Sequence, residues 1–219
     1  MLDRFHPPVE EYLETIFSLE EEGIPVIQAR LAERLDKAAP SVSEMLDRLE
    51  ADGLITRSSR QIAMTPAGSA IAAAVVRKHR LAERLLVDII GLEWEKAHLE
   101  AGRWEHVISD EVEARLVVLL GNPTTCPHGS PIPGVEPTGP PQHSLSESET
   151  GDRVRLERIT ESIEHDAASL SYLGQHGLVP GTTATVQAKA PDGTLTLEVA
   201  GESVAVGPSM TGKLFVATA

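Results

Sequence analysis

Positions 12, 13, 16 and 19 carry Tyr12, Leu13, Ile16 and Leu19, one apolar face at helical spacing. This predicts a first helix from about Pro8 to Glu22. Ala29, Leu31, Ala32 and Leu35 give a second stripe, over 27–36. Val42, Met45, Leu46 and Leu49 give a third, over 41–52, started by Pro40 or Ser41 and stopped by Gly53. LITRSSRQIAMT then reads as a hairpin with its tip at Ser58, Ser59 and Arg60. Thr65 caps a fourth helix with Pro66 in its first position, running to Gly91. A fifth helix is expected over 94–106. A sixth begins at Ser109, with Glu111 and Glu113 in its first turn, and ends near Leu120.

The pattern then changes. Residues 121–150 are dense in Pro, Gly and Ser, which disfavours helix and strand alike, so they read as a linker. Beyond them RVRLERI, TATVQAKA, TLTLEVA and SVAVGPS alternate or run with β-branched residues between turn signals and predict short strands. One short helix, near HDAASLSYLGQHG, interrupts them. The expected fold is mainly α with a small β part. It comprises a winged helix-turn-helix domain over 1–65, a helical domain over 66–120, the linker over 121–150 and a small β barrel over 151–219.

Composition narrows the classes. The hydrophobic share of 41% is ample for a core, but aromatics are only 3%, so that core is aliphatic. Net charge is −14, from 33 acids against 19 bases, which argues against a non-specific polyanion binder and suits a protein that collects cations. A single cysteine, Cys126, excludes a disulfide scaffold within one chain. The opening MLDRFHPPVEEY has no apolar signal core and no run reaches membrane-span length, so a soluble cytoplasmic protein is expected, without a membrane partner.

The second and third stripes, joined by a short turn and followed by the hairpin, form a helix-turn-helix with a wing. A helix opening on small polar residues can enter a DNA major groove N-terminus first, where its N–H groups favour phosphate. Arg57 and Arg60 on the hairpin are placed to reach backbone or minor groove. Between Ile27 and Met64 six bases balance six acids, so this segment is neutral inside an acidic chain.

A second constellation lies in HLEAGRWEHVISDEVE. On a helix, positions 98, 102, 105 and 106 share one face, which sets His98, Glu105 and His106 together with Gly102 leaving room for an approach. His79 and Glu83 are four apart on the preceding helix, and Glu11 and Glu14 three apart on the first. Such groups repel unless a cation lies among them, and mixed imidazole and carboxylate suits Mn²⁺, Fe²⁺, Co²⁺ or Zn²⁺. Two rivals follow from the same residues. A metal-dependent hydrolase needs an open ion position in a cleft, but no nucleophile motif or phosphate loop accompanies the cluster, so no enzyme and no small-molecule substrate are expected. A metal-buffering or accessory protein has no use for a winged helix-turn-helix.

EEYLETIFSLEEEG, ARLAERL, PSVSEMLDRLEADGL, MTPAG, RKHRLAERLL, RWEHVISDEVE and HGSPIPG, in this order, resemble the landmarks of the diphtheria-toxin-repressor family of metal-dependent transcriptional regulators. SLSYLGQHGLVPG resembles the SH3-like (FeoA-type) domain of its longer members. The resemblance covers nearly the whole chain. It implies a repressor that binds palindromic operator DNA as a homodimer and controls metal-homeostasis genes. Two metal sites per subunit are implied. His79, Glu83 and His98 match one, with Asp166 near where the C-terminal domain supplies a carboxylate. Glu11, Glu105 and His106 match the other, with Glu14 and the carbonyl of Gly102 as further donors. Arg80, Cys126 and Ser130 match an anion pocket. Ala38, Pro40, Ser41, Ser43, Glu44 and Arg48 fall at the DNA-reading helix.

The chain departs from both branches of the family. The iron branch has methionine and cysteine where Glu11 and Gly102 stand, and the manganese branch usually has glutamate at the second of these. With sulfur absent from that set the donors are hard, which favours Mn²⁺ over Fe²⁺; Co²⁺, Ni²⁺ or Zn²⁺ substitute in vitro. Glu44 replaces a glutamine of the iron branch and accepts from cytosine rather than pairing with adenine, which implies a different operator preference. IIGLEW and RLVVLLG are the candidate dimer surfaces. Metal closure would fix the spacing of two recognition helices for successive major grooves, about 34 Å apart.

Overall fold

Helices predominate as far as Leu119 and strands from His143 onward in the computed structural model, which describes residues 7–136 and 139–219. The opening residues 1–6, part of the stretch in which no signal core was seen, and residues 137–138 of the expected linker lie outside the described residues. Two compact units divide the chain, one up to Lys78 and one from His79.

In the first unit α1 (Pro7–Glu21), α2 (Gln28–Arg34) and α3 (Ala39–Ala51) pack through the predicted stripes. Leu13, Ile16, Leu19, Leu31, Val42, Leu46 and Leu49 are fully buried in one core. The wing is β1 (Ile55–Ser58) paired antiparallel with β2 (Gln61–Met64), with Ser59 in a left-handed conformation at the tip. α4 (Pro66–Arg84) starts as the sequence requires. The Thr65 hydroxyl accepts from Gly68 N at 3.2 Å, satisfying one of the helix's open N–H groups.

In the second unit the fourth helix does not stay α-helical to Gly91. Residues Leu85–Ile90 widen into π turns. The predicted helix over 94–106 is also broken. A tight turn at Trp94–Lys96 leads into α5 (Ala97–Ala101), and Gly102 caps it before a run of turns. Glycine is a poor helix former, and here the helix ends on it. α6 (Asp110–Leu119) begins where Ser109 accepts from Val112 N.

The Pro-rich stretch does not behave as a solvated tether along its first half. Residues 126–130 are all buried, and Ile132 joins a core cluster with Leu81 and Leu116. Its second half supplies β3 (His143–Ser144), a two-residue edge strand. The four predicted strands are present as β4 (Arg153–Ile159), β5 (Thr183–Lys189), β6 (Leu195–Val199) and β7 (Glu202–Val206). Between β4 and β5 lie α7 (Glu161–Glu164) and α8 (Ala167–Gln175). The short α9 (Pro208–Thr211) precedes β8 (Leu214–Thr218). The strands form one antiparallel sheet in the order β3-β8-β4-β5-β6-β7, with a register shift in β4 and another in β5 that bend it around an aliphatic core.

Candidate metal centre and DNA-reading face

Six imidazole and carboxylate side chains of the second unit are buried together: His79, Glu83, His98, Glu105, His128 and Glu164. Charged groups leave water only when paired or bound to an ion. α4 carries His79 and Glu83 one turn apart, and α5 carries His98. The loop after α6 brings His128, and α7 brings Glu164.

Their donor atoms converge. Glu83 Oε1 lies 3.2 Å from His79 Nε2, 3.3 Å from His98 Nδ1 and 3.1 Å from His128 Nδ1. His79 Nε2 and His98 Nδ1 are 3.0 Å apart. Glu164 Oε2 stands 3.1 Å from His98 Nδ1 and 3.4 Å from His128 Nδ1. Ligands bound at about 2.1 Å to one ion sit about 3.0–3.4 Å from one another, so this spacing fits a divalent cation. Glu83 Oε2 and His128 Nδ1 are buried and make no hydrogen bond among the described residues, as expected of groups reserved for an ion.

Outer contacts set the histidines. Glu105 accepts from His79 Nδ1, which leaves Nε2 bare toward Glu83. The Trp94 carbonyl accepts from His128 Nε2 at 3.2 Å, which leaves Nδ1 bare on the same side. His165 Nδ1 lies 3.3 Å from His98 Nε2. Burial opposes charge on His79, Glu83, His98, Glu105 and His128, yet attraction to their oppositely charged neighbours overcomes it. Imidazoles of His128 and His79 hold Glu83 well below the usual carboxylate range. Glu164 and Glu83 push His98 up to about 10. Without an ion the cluster therefore retains protons, which a cation must displace.

Around this centre the expected residues fall unevenly. His79, Glu83 and His98 are brought together as the spacing implied. Glu105 and His106 adjoin them, with His106 Nε2 3.1 Å from Glu105 Oε1. Asp166 is a correction. It is exposed and caps α8, its carboxylate taken by Ala168 N at 3.1 Å and Ser169 Oγ at 2.6 Å. Glu164, two residues earlier and buried, stands beside His98 instead. Gly102 ends α5, and a Cβ there would meet only the carbonyls of His98 and Leu99 at 3.8 Å, so the space beside it is open. Arg80, on α4, is buried and donates to the Pro131 carbonyl beside Ser130, so it is tied to the loop that carries Cys126. His128, Glu164 and His165 escaped the sequence reading. Only the His128 spacing, two beyond the single cysteine, could have signalled it.

In the first unit Ala38, Pro40, Ser41, Glu44 and Arg48 are exposed and Ser43 is half-buried, so α3 presents its N-terminal end while Val42, Leu46 and Leu49 face the core. Arg60 is exposed on the wing. Arg57 lies on the wing with its guanidinium held by Asp47 at 2.7 Å and Glu50 at 2.6 Å, which braces the wing on α3. Glu11, on α1, pairs with Lys37 at 2.6 Å.

A winged helix-turn-helix joined to a buried nest of imidazoles and carboxylates defines a metal-responsive DNA-binding regulator. Residues 4–61 match the family described as "Iron dependent repressor, N-terminal DNA binding domain", residues 65–134 its "metal binding and dimerisation domain", and residues 143–218 the "FeoA domain". The chain is 46% identical over 204 residues to the "Iron-dependent repressor IdeR" of Mycobacterium tuberculosis, covering 88% of each. It is 56% identical over 131 residues to the "Diphtheria toxin repressor" of Corynebacterium diphtheriae, covering 59% of this chain and 58% of that one. A solved structure described as "Manganese-dependent transcriptional repressor complex with manganese" superposes with a TM-score of 0.87 at 30% identity, covering 96% of this chain and 100% of that one. The chain belongs to the iron-dependent repressor family, a family of transcriptional repressors and not of enzymes. The expected fold class, with its FeoA-type tail, is borne out. No helix among the described residues is long and apolar enough to cross a membrane.

Proposed function

We propose that this chain is a metal-dependent repressor that grips a palindromic operator as a homodimer and controls genes of metal homeostasis. The observation that carries the reading is the pairing of an exposed α3 N-terminus with a buried, ion-ready nest in one chain. The first ion position comprises His79, Glu83 and His98, joined by Glu164. The second is built on Glu105 and His106. Oxygen and imidazole donors at the second position support Mn²⁺, with Fe²⁺ compatible. The ion supplies positive charge that lets these groups stay together unprotonated. The residues themselves do the rest: Glu105 orients His79, and α4 carries that histidine on the helix that Thr65 caps beside the wing. Arg80, Cys126 and Ser130 match the family's anion pocket.

Exposed Ile89, Ile90, Val118 and Leu119 support a dimer, since a lone subunit gains nothing by showing them to water. The test is anaerobic gel-shift binding to the DNA upstream of its own gene, titrated separately with Mn²⁺ and Fe²⁺. A shift that requires metal and is lost in His79→Ala supports the reading. Binding indifferent to both ions overturns it.

A further inference from the structure

Cys126 and His128 sit two residues apart in the buried loop, and each faces Glu83. One donor atom from each of the three lies within 4.8 Å of the others. All three side chains are essentially without exposure: Glu83 and His128 at 0%, Cys126 at 1%. Two buried atoms of this trio are turned toward a ligand. Glu83 Oε2 is buried with no hydrogen-bond partner, although a carboxylate oxygen in the interior is costly to leave unbonded. His128 Nδ1 is likewise unbonded. Its ring is fixed by the Trp94 carbonyl at Nε2, so its lone pair is turned toward the carboxylates of Glu83 and Glu164. A lone pair 3.1 Å from a carboxylate oxygen is repulsive unless a proton or a metal cation lies between, and a metal that displaces the proton takes its place there. The usual reason for a buried cysteine is that it packs as a small hydrophobe. That reason does not explain a sulfur set among two carboxylates and an imidazole.

We propose that Cys126, His128 and Glu83 form a thiolate–imidazole–carboxylate site for a borderline divalent ion of the Zn²⁺, Co²⁺ or Fe²⁺ class, with Glu83 shared with the His79–His98 position. Thiolate and imidazole together select such ions over Mn²⁺. On binding, the Cys126 S–H bond breaks, a sulfur–metal bond forms, and the proton leaves to solvent without electron transfer. The site rests on the metal reading above for its shared carboxylate, but it does not require DNA binding.

The experiment uses the full chain, stripped with a chelator and titrated with Co²⁺, with bound metal counted by equilibrium dialysis. Cys126 is the sole cysteine, so any sulfur-to-cobalt charge-transfer absorption in the near ultraviolet belongs to it. The expected result is such a band in the wild type and its loss in Cys126→Ser. His128→Phe is expected to weaken Zn²⁺ binding by about ten- to a hundredfold. Circular dichroism of both variants reports folding, and the wild-type band stands as a readout independent of either. Bound Co²⁺ without the band, with metal-dependent operator binding intact, overturns this proposal and leaves the repressor reading in place. Failure of the wild type to bind Co²⁺ at all overturns both.

Discussion

Glu105 accepts from Nδ1 of His79 with one carboxylate oxygen and meets Nε2 of His106 with the other. One buried side chain thus touches both candidate ion positions of the second unit. Glu105→Gln removes the charge while keeping the shape. It is expected to weaken ion binding at the His79 position by about ten- to a hundredfold, because the carboxylate fixes the imidazole's tautomer and raises its basicity. Isothermal titration with Mn²⁺ checks it, and an unchanged first binding constant would remove Glu105 from this role.

The apoprotein has a defined stability window in pH. His98 is raised from 6.5 to about 10, so its contribution is fully present below pH 6.5 and is lost as pH climbs toward 10. Glu83 is lowered from 4.5, so its contribution is present above that value and is lost as the solution becomes more acid. The chelator-treated chain is therefore expected to melt highest between these limits. Saturating metal moves the optimum upward, because ions take the deprotonated ligands. Melting temperature against pH, with and without Mn²⁺, decides; an apo optimum above pH 8 contradicts the cluster's charge balance.

Gly129 has φ +91°, and a Cβ on it would lie 1.9 Å from the Glu157 carbonyl of β4. Beside it, Ile159 N donates to the His128 carbonyl at 3.0 Å. The loop bearing Cys126 and His128 lies directly on the strand because this residue has no side chain. Gly129→Ala is expected to destabilise the fold by about 2 kcal/mol and to lower metal affinity with it. Urea denaturation measures the first effect, and a neutral result shows that the loop can retreat.

Arg57 and Arg60 predict opposite signatures on DNA. Arg60→Ala is expected to reduce the salt dependence of operator binding by about one unit of log–log slope, as a phosphate contact does. Arg57→Ala loosens the wing from Asp47 and Glu50 and weakens binding with little change in slope. Fluorescence anisotropy over a salt series separates them; equal slopes for both variants contradict the assignment.

Glu44 is exposed on the reading face of α3. Glu44→Gln is expected to shift base preference from cytosine toward adenine at the contacted position. Selection from a randomised operator library checks it, and an unaltered consensus removes Glu44 from base readout.

The apolar stripes around Leu13, Leu31 and Leu46 were legible because each helix buries one face at fixed spacing. The pairs His79 with Glu83 and Glu105 with His106 were legible for the same reason, as local neighbours. Glu164 was not, since nothing local distinguishes it from Asp166; only the direction of α7 makes one buried and the other a cap. His128 lay in a stretch whose Pro and Gly content speaks of loop, and composition does not reveal that a loop is buried against β4. The π turns over 85–90 leave the apolar pattern unchanged and so carry no signal. Leu214–Thr218 lacks clean alternation, which hid the strand that joins β3 to β4.

Trp94 gives the molecule an optical gauge of its own. Its indole packs against the aliphatic core of the β sheet, donates from Nε1 to the Pro127 carbonyl at 3.1 Å, and stands 4.8 Å from the His128 ring. A paramagnetic ion settling beside that imidazole quenches emission at this distance. The other tryptophan, Trp104, lies in a separate cluster and can be silenced as phenylalanine. Ion arrival can then be followed in solution, without a label, from the protein's own emission.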